Sequence, residues 1–311
     1  MTAGSTLEPS AHARELVRGG VDMHVHIAPD VVERRISDVA LARRCAELGL
    51  AGFQLKSHYC STAERARSVS EGAPDGVRVL GAITLNRAVG GLNPLAVEIA
   101  AREGARTVWF PTVNSVNEQH EVHPAPPGAR VPVWVAFELE LRDAGLDPEP
   151  VAVVDAEGAL VPEAHEVLAV IARHDMVLAT GHLARDEIFT LVAGAVAAGV
   201  RQIVVTHPEF PSQQIPIDDQ IQLAAEGAML ERCFTTPHTG KATWELICRA
   251  SREVTPEHTV FSSDLGQVFN PPVEDGLALM ADQFLAAGFS DDEIVRMAVT
   301  NTRRLAGLGP A

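Results

Sequence analysis

Short apolar runs alternate with longer amphipathic ones along this chain, and few architectures accept that pattern. Strand-like runs fall near 20–27, 51–57, 77–84, 106–111, 176–182, 201–206, 229–235 and 259–263. Between them SDVALARRCAELG (37–49), NPLAVEIAAREGA (93–105) and RDEIFTLVAGAVAAG (185–199) place apolar residues at helical spacing and carry a glycine at or near their ends. A buried strand followed by a helix that returns the chain to the next strand is a parallel-sheet unit. Eight such units predict an α/β fold closed as a (β/α)8 TIM barrel, a single domain over 20–311 behind an N-terminal extension of 1–19. A doubly wound open sheet would alternate in the same way. It usually carries a glycine-rich turn after its first strand, and here that turn reads HIAPDVVERR.

The polar residues at the ends of these apolar runs carry the chemistry. His24 and His26 lie in VDMHVHI, His182 in MVLATGHL, His207 in QIVVTHPEF and Asp264 in TVFSSDLG. Residues i and i+2 of a strand share a face, so His24 and His26 project together. His182 and His207 are 25 residues apart, about one strand–helix–strand repeat, and His207 and Asp264 are 57 apart, about two. A lone histidine at a strand end is usually a hydrogen-bonded structural residue. Five nitrogen and oxygen ligands at equivalent strand ends instead suit zinc or a similar first-row divalent ion such as Mn2+ or Fe2+.

Composition narrows the class. With 311 residues and 46% apolar content the chain can bury a large core. Its formal charge of −16 argues against an extended nucleic-acid or anionic-membrane surface. Cys45, Cys60, Cys233 and Cys248 are scattered without a Cys-x-x-Cys pair, which disfavours a disulfide framework or a zinc knuckle. The N-terminus has no apolar signal core, and no run reaches the roughly 18 apolar residues of a membrane span. Cytoplasmic residence and a small-molecule substrate are the expectations, with no nucleic acid and no membrane as partner.

On the His-x-His of the first strand, the histidines ending strands five and six and the aspartate ending strand eight, the sequence resembles the amidohydrolase superfamily over about residues 20 to 310. The resemblance implies a (β/α)8 barrel holding one or two divalent metals, and most often hydrolysis. Only about 20 residues precede the first strand, so the chain resembles the branch without a flanking β-sandwich. It also implies the role of Asp264, which would orient the attacking hydroxide, take its proton and pass it to the leaving group. A divalent cation lowers the pKa of bound water from roughly 16 toward 7, so that a metal-bound hydroxide is the expected nucleophile.

The chain departs from the family at the bridging ligand. Binuclear members carry a carboxylated lysine or a glutamate at the end of strand four, and strand four here reads RTVWFPT. Strand two reads GFQLKSHY, in which Gln54, Lys56 and His58 share a face. Lys56 is therefore the alternative bridge. A lysine at the end of a buried strand is costly to keep charged, and its neutral amine can react with carbon dioxide to a carbamate with two oxygens. After that bridging reading come, in order, a charged substrate contact and a snorkelling structural lysine. His58 reads as a ligand, proton carrier or substrate contact, and Cys60 as a small buried or loop cysteine.

Asn86, Thr112, Asn114, Glu209 and His238 follow strands and are candidates to face substrate. Trp109, Phe110, Trp134 and Phe137 are candidate apolar walls, and Asp22 a residue that orients backbone or ligands. The irregular stretch 113–162, with the proline-rich HEVHPAPPGARVP and a hairpin turn centred on Ala156–Gly158, reads either as a lid or substrate wall or as a surface or homo-oligomer contact. The C-terminal FSDDEIVRMAVTNTRRLAGL predicts a helix capped by Ser290 or Asp291. The first functional expectation is hydrolysis of an amide, cyclic amide or related C–N bond, with lactones and other esters open to the same nucleophile. Non-oxidative decarboxylation is the rival, because DMHVHIAP also resembles the Asp-x-His-x-His-x-x-Pro start of single-metal decarboxylases. A non-catalytic metal-binding barrel is the third reading.

Overall fold

The computed structural model describes residues 7–119, 133–146 and 148–309. Strands β1 (Val21–Val25), β2 (Gly52–Leu55), β3 (Arg78–Thr84), β4 (Ala105–Trp109), β5 (Val177–Ala179), β6 (Gln202–Val205), β7 (Met229–Cys233) and β8 (Thr259–Ser262) stand where the apolar runs place them. They form one eight-stranded sheet in chain order, with parallel pairings. The last strand returns to the first: Asp264 N–H donates to the His24 carbonyl and His26 N–H to the Leu265 carbonyl, each at 2.8 Å. The fold is the (β/α)8 barrel.

Several strands are shorter at the carboxyl end than the apolar runs suggest. His182 lies beyond Ala179, where β5 ends, and His207 beyond Val205, where β6 ends. His207 and Asp264 take the left-handed backbone, with φ of 27° and 52°. For residues with a Cβ this conformation is costly, and it is kept where it aims a side chain.

Contacts divide the chain into two compact units, of which the first comprises residues 1–56, 65–80 and 230–311. Its core joins Leu41, Phe53, Leu55, Phe234, Phe261, Phe284 and Phe289. The helix Asp38–Leu48 starts at Ser37, whose hydroxyl accepts from Ala40 N–H, and stops at Gly49 with φ of 73°. The described part of the N-terminal extension, residues 7–19, is built into this unit. Ser10 caps the helix Ala11–Leu16 and donates its hydroxyl to Asp282 at 2.6 Å, while Ala13 and Val17 enter the core. At the other end Ser290 and Glu293 form the capping box of Asp291–Val295, which confirms the first of the two expected caps.

The second unit comprises residues 57–64 and 81–229. Its helices include Pro94–Arg102, Pro162–Arg173 and Arg185–Ala197. Within the long insertion, residues 120–132, including HEVHPAPPGARV, lie outside the described residues. The described remainder holds a 3-10 turn at Val116–Glu118, a helix at Val133–Asp143, and an antiparallel bridge between Val154 and Leu160. Asp155 N–H donates to the Ala159 carbonyl at 2.8 Å, closing the turn expected around Ala156–Gly158. Among the described residues no helix is long and apolar enough to cross a membrane.

Candidate metal centre

In the first unit the carboxyl ends of β1, β2 and β8 bring four of the expected residues together. His24 Nε2 and His26 Nε2 lie 3.3 and 3.2 Å from the same oxygen, Oδ1 of Asp264. Lys56 Nζ lies 2.9 Å from His24 Nε2. The side chains of His24, His26 and Asp264 are 0%, 3% and 17% exposed, so the aspartate is the member open to approach. Gly266 lets the chain after β8 pass this close: a Cβ there would stand 1.5 Å from the His26 carbonyl oxygen.

Neighbouring residues fix these ligands, and two of them escaped the sequence reading. Glu231 on β7 places its carboxylate oxygens 3.2 and 3.3 Å from His24 Nδ1, which directs Nε2 toward Asp264. Cys233, two residues on and so on the same face, has its sulfur 3.7 Å from the same Nδ1. Thr235 donates its hydroxyl to Asp264 Oδ2 at 2.8 Å. Asp22 takes the orienting role expected of it, accepting from the backbone N–H of His24 at 3.2 Å and of Ser263 at 3.0 Å.

Burial sets the charge states. It pushes the Asp22 carboxyl up to about 6 and His26 down to about 3. It also lowers Lys56, bringing the neutral amine nearer to reach. Burial alone would raise Asp264, but His24, His26 and Lys56 hold its carboxyl well below the usual carboxylate range. Glu231 is lowered in the same way, its burial outweighed by His24 and Lys56. The Cys233 thiol is driven up by burial and by Glu231 and Asp264 beside it.

The second unit holds a cluster of its own. His182 and His207 face each other with ring centroids 5.0 Å apart, and Phe210 lies against both. His182 Nδ1 is 2.9 Å from Glu118, and His207 Nδ1 is 2.8 Å from Gln213 Oε1. A hydrogen-bonded partner on Nδ1, as Gln213 is for His207, is the usual arrangement for a histidine that binds metal through Nε2. Neither Glu118 nor Gln213 was anticipated. Gly181 makes the approach to His182 possible, with φ of 65° and a would-be Cβ only 2.3 Å from the Phe110 carbonyl oxygen. The His58 ring lies 6.2 Å from His182, and its Nδ1 is 2.9 Å from the Thr112 hydroxyl.

The candidate substrate contacts separate by what else they hold. Asn86 accepts from the N–H of Thr112 and Asn114 and donates to the His58 carbonyl and the Thr112 hydroxyl. That uses its full hydrogen-bonding capacity, so Asn86 is a framework clamp rather than a substrate contact. Asn114 pairs with Glu138 and with Arg87 N–H, and buried Glu209 accepts from Gln220 at 3.0 Å. His238 is exposed and stacks on Phe234. Trp109 and Phe110 are buried, while Trp134 and Phe137 are half-buried, Phe137 meeting the Tyr59 ring at 5.0 Å. Cys60 lies exposed in the loop after β2.

The donor set suits a divalent cation. Ligand atoms of His24, His26 and Asp264 lie within 4.8 Å of one another, as do those of His24, Glu231 and Cys233. Two imidazole nitrogens and one carboxylate oxygen, held by buried partners, are what a first-row ion requires.

A profile of a family of unknown function, DUF6282, matches residues 19–231. The chain belongs to the DUF6282 family. The matched span reaches from before β1 to Glu231 and includes His24, His26, Lys56, His182 and His207, with Asp264 beyond it. No curated protein matches this DUF6282 chain. Solved structures share its fold. An amidohydrolase from Pseudomonas aeruginosa is 11% identical with a TM-score of 0.58, over 95% of this chain and 99% of its own. A proposed 2-pyrone-4,6-dicarboxylic acid hydrolase from Pseudomonas putida is 13% identical with a TM-score of 0.56, over 93% and 97%. The dipeptidase AC, a metallopeptidase of family M19, is 13% identical with a TM-score of 0.58, over 93% and 98%. At such identity the likeness is one of fold.

Proposed function

We propose that the protein is a metal-dependent hydrolase acting on an amide, cyclic amide or related C–N bond of a small molecule. The observation that carries this reading is the convergence of His24 Nε2 and His26 Nε2 on one oxygen of Asp264, with Glu231 behind His24. The fold neighbours support it, since they include an amidohydrolase and a metallodipeptidase. Zinc is the metal these ligands suit best. His182 and His207 stand past the carboxyl ends of β5 and β6. That edge of a parallel barrel carries the active site, and on this reading the two histidines are ligands offered by their own unit.

A divalent cation, when bound, supplies an acidified water and polarises the scissile carbonyl. The chain's own groups do the rest. Asp264, ionised at neutral pH and held through Oδ2 by Thr235, accepts a proton and returns it to the leaving nitrogen. His58, tied through Nδ1 to Thr112, is a second carrier at the carboxyl end of β2. Lys56, buried with its amine made easier to deprotonate, would help to hold the metal as a carbamate, its nitrogen bonding the carbon of carbon dioxide with release of a proton.

Zinc-loaded protein assayed against amides, cyclic amides, lactones, esters and carboxylic acids tests the proposal. Hydrolysis of at least one C–N substrate is expected, and Asp264→Asn should lower it at least about a hundredfold with zinc still bound through the histidines. Release of carbon dioxide from a carboxylic acid without hydrolysis of any panel member would replace the reading by decarboxylation. Equal rates in the metal-loaded variant would take proton transfer away from Asp264.

A further inference from the structure

The turn HIAPDVVERR after β1 holds a cation that the metal site does not use. The side chain of Arg34 is 6% exposed and that of its partner Asp30 is 4% exposed. Their contact is a single hydrogen bond, Arg34 Nε donating to Asp30 Oδ2 at 2.7 Å. The other Asp30 oxygen accepts from Val31 N–H, which fixes the carboxylate and through it the guanidinium. A guanidinium carries five N–H donors, and the four on its terminal nitrogens have no hydrogen-bond partner among the described residues. A largely buried cation with most of its donors unused invites an anion.

The turn is held firmly. Ala28 N–H donates to the Ile36 carbonyl, Asp38 N–H to the Ala28 carbonyl and Arg35 N–H to the Gly266 carbonyl, at 2.9, 3.0 and 2.8 Å. Arg65 shows what a structural arginine looks like here: it spends its donors on the carbonyls of Ile27, Ala28 and Pro29 and on Asp38. Lys56 is committed to His24. Arg34 therefore keeps a fork to offer, which Arg65 and Lys56 do not. Its turn follows His26 directly and is tied to the segment after Asp264, where Leu265 accepts from His26 N–H and Gly266 from Arg35 N–H.

We propose that Arg34 binds a carboxylate of the substrate through its two terminal nitrogens, so that the hydrolysed small molecule is a carboxylate-bearing amide. Pairing through Nε leaves the end-on edge of the guanidinium, whose parallel N–H groups match the two oxygens of a carboxylate. The inference rests on the hydrolase reading for the scissile bond, but anion binding at Arg34 needs no turnover.

Binding is measured by ligand-observed NMR on zinc-loaded protein. The probes are acetate, benzoate, glutarate and hippurate, with benzamide and hippuramide as uncharged counterparts. At least one carboxylate should bind about tenfold or more tightly than its amide. Arg34→Gln should abolish that preference with zinc content and melting temperature unchanged, and Arg34→Lys should keep part of it. The proposal is overturned if no probe shows an Arg34-dependent preference. It is equally overturned if the preference survives Arg34→Gln and disappears when zinc is chelated, which would seat the anion on the metal. An Arg34-dependent preference in a protein that hydrolyses nothing keeps this inference and removes the hydrolase reading. Hydrolysis without the preference does the reverse.

Discussion

Glu231 gives the sharpest test of how the ligands are held. Its side chain is 3% exposed and both its oxygens are within 3.3 Å of His24 Nδ1, so it fixes the ring and raises the basicity of Nε2. Glu231→Gln keeps the shape and one acceptor and removes the charge. Outer carboxylates of this kind contribute about 10–100-fold to metal affinity, which is roughly 1.4–2.7 kcal/mol. Glutamine should fall near the lower end. Glu231→Ala should fall near the upper end and also destabilise the fold by about 1–3 kcal/mol, because the buried ring loses its carboxylate acceptor. The assay is competition for zinc against a chromophoric chelator, with thermal unfolding on the same samples. Zinc affinity unchanged in Glu231→Gln would refute the orienting role. A loss far beyond a hundredfold in that variant would instead make Glu231 a ligand, through the group that it forms with His24 and Cys233.

Two further outcomes follow from the same structure. Lys56→Ala should lose activity together with one equivalent of metal, and short carboxylates should restore part of both by occupying the vacated bridge. Full metal content without Lys56 would reject the carbamate. On the surface, Arg173, Arg102 and His174 hold Glu98 down to about 2 from an ordinary 4.5. A depressed carboxyl contributes stability that is complete above its unfolded pKa and is lost as pH falls through the folded one. Melting temperatures should therefore decline more steeply between about pH 4.5 and pH 2 in the natural protein than in Glu98→Gln, and parallel curves would count against the cluster.

What could be read from the sequence and what could not divide along a physical line. The strands, the cap at Ser290 and the pairing of His24 with His26 depend on residues close together in the chain, where the period of a strand or a helix turn decides the outcome. Glu231, Glu118 and Gln213 depend on partners from other elements, and a lone carboxylate or amide in a strand or turn has no local signature. Asn86 shows the same limit from the other side. Its place after β3 suggests a residue facing substrate, yet four hydrogen bonds to the neighbouring loops leave it nothing to offer. Nothing in HIAPDVVERR marks Arg34, because its informative property is the set of donors it keeps, which only the fold decides. Strand position tells which polar residues stand at the mouth of a barrel. Which of them has a hydrogen-bonding group to spare depends on the partners that folding supplies, and that spare capacity separates Arg34 in the turn after β1 from Arg65, which reaches the same turn from the helix Ala63–Gly72.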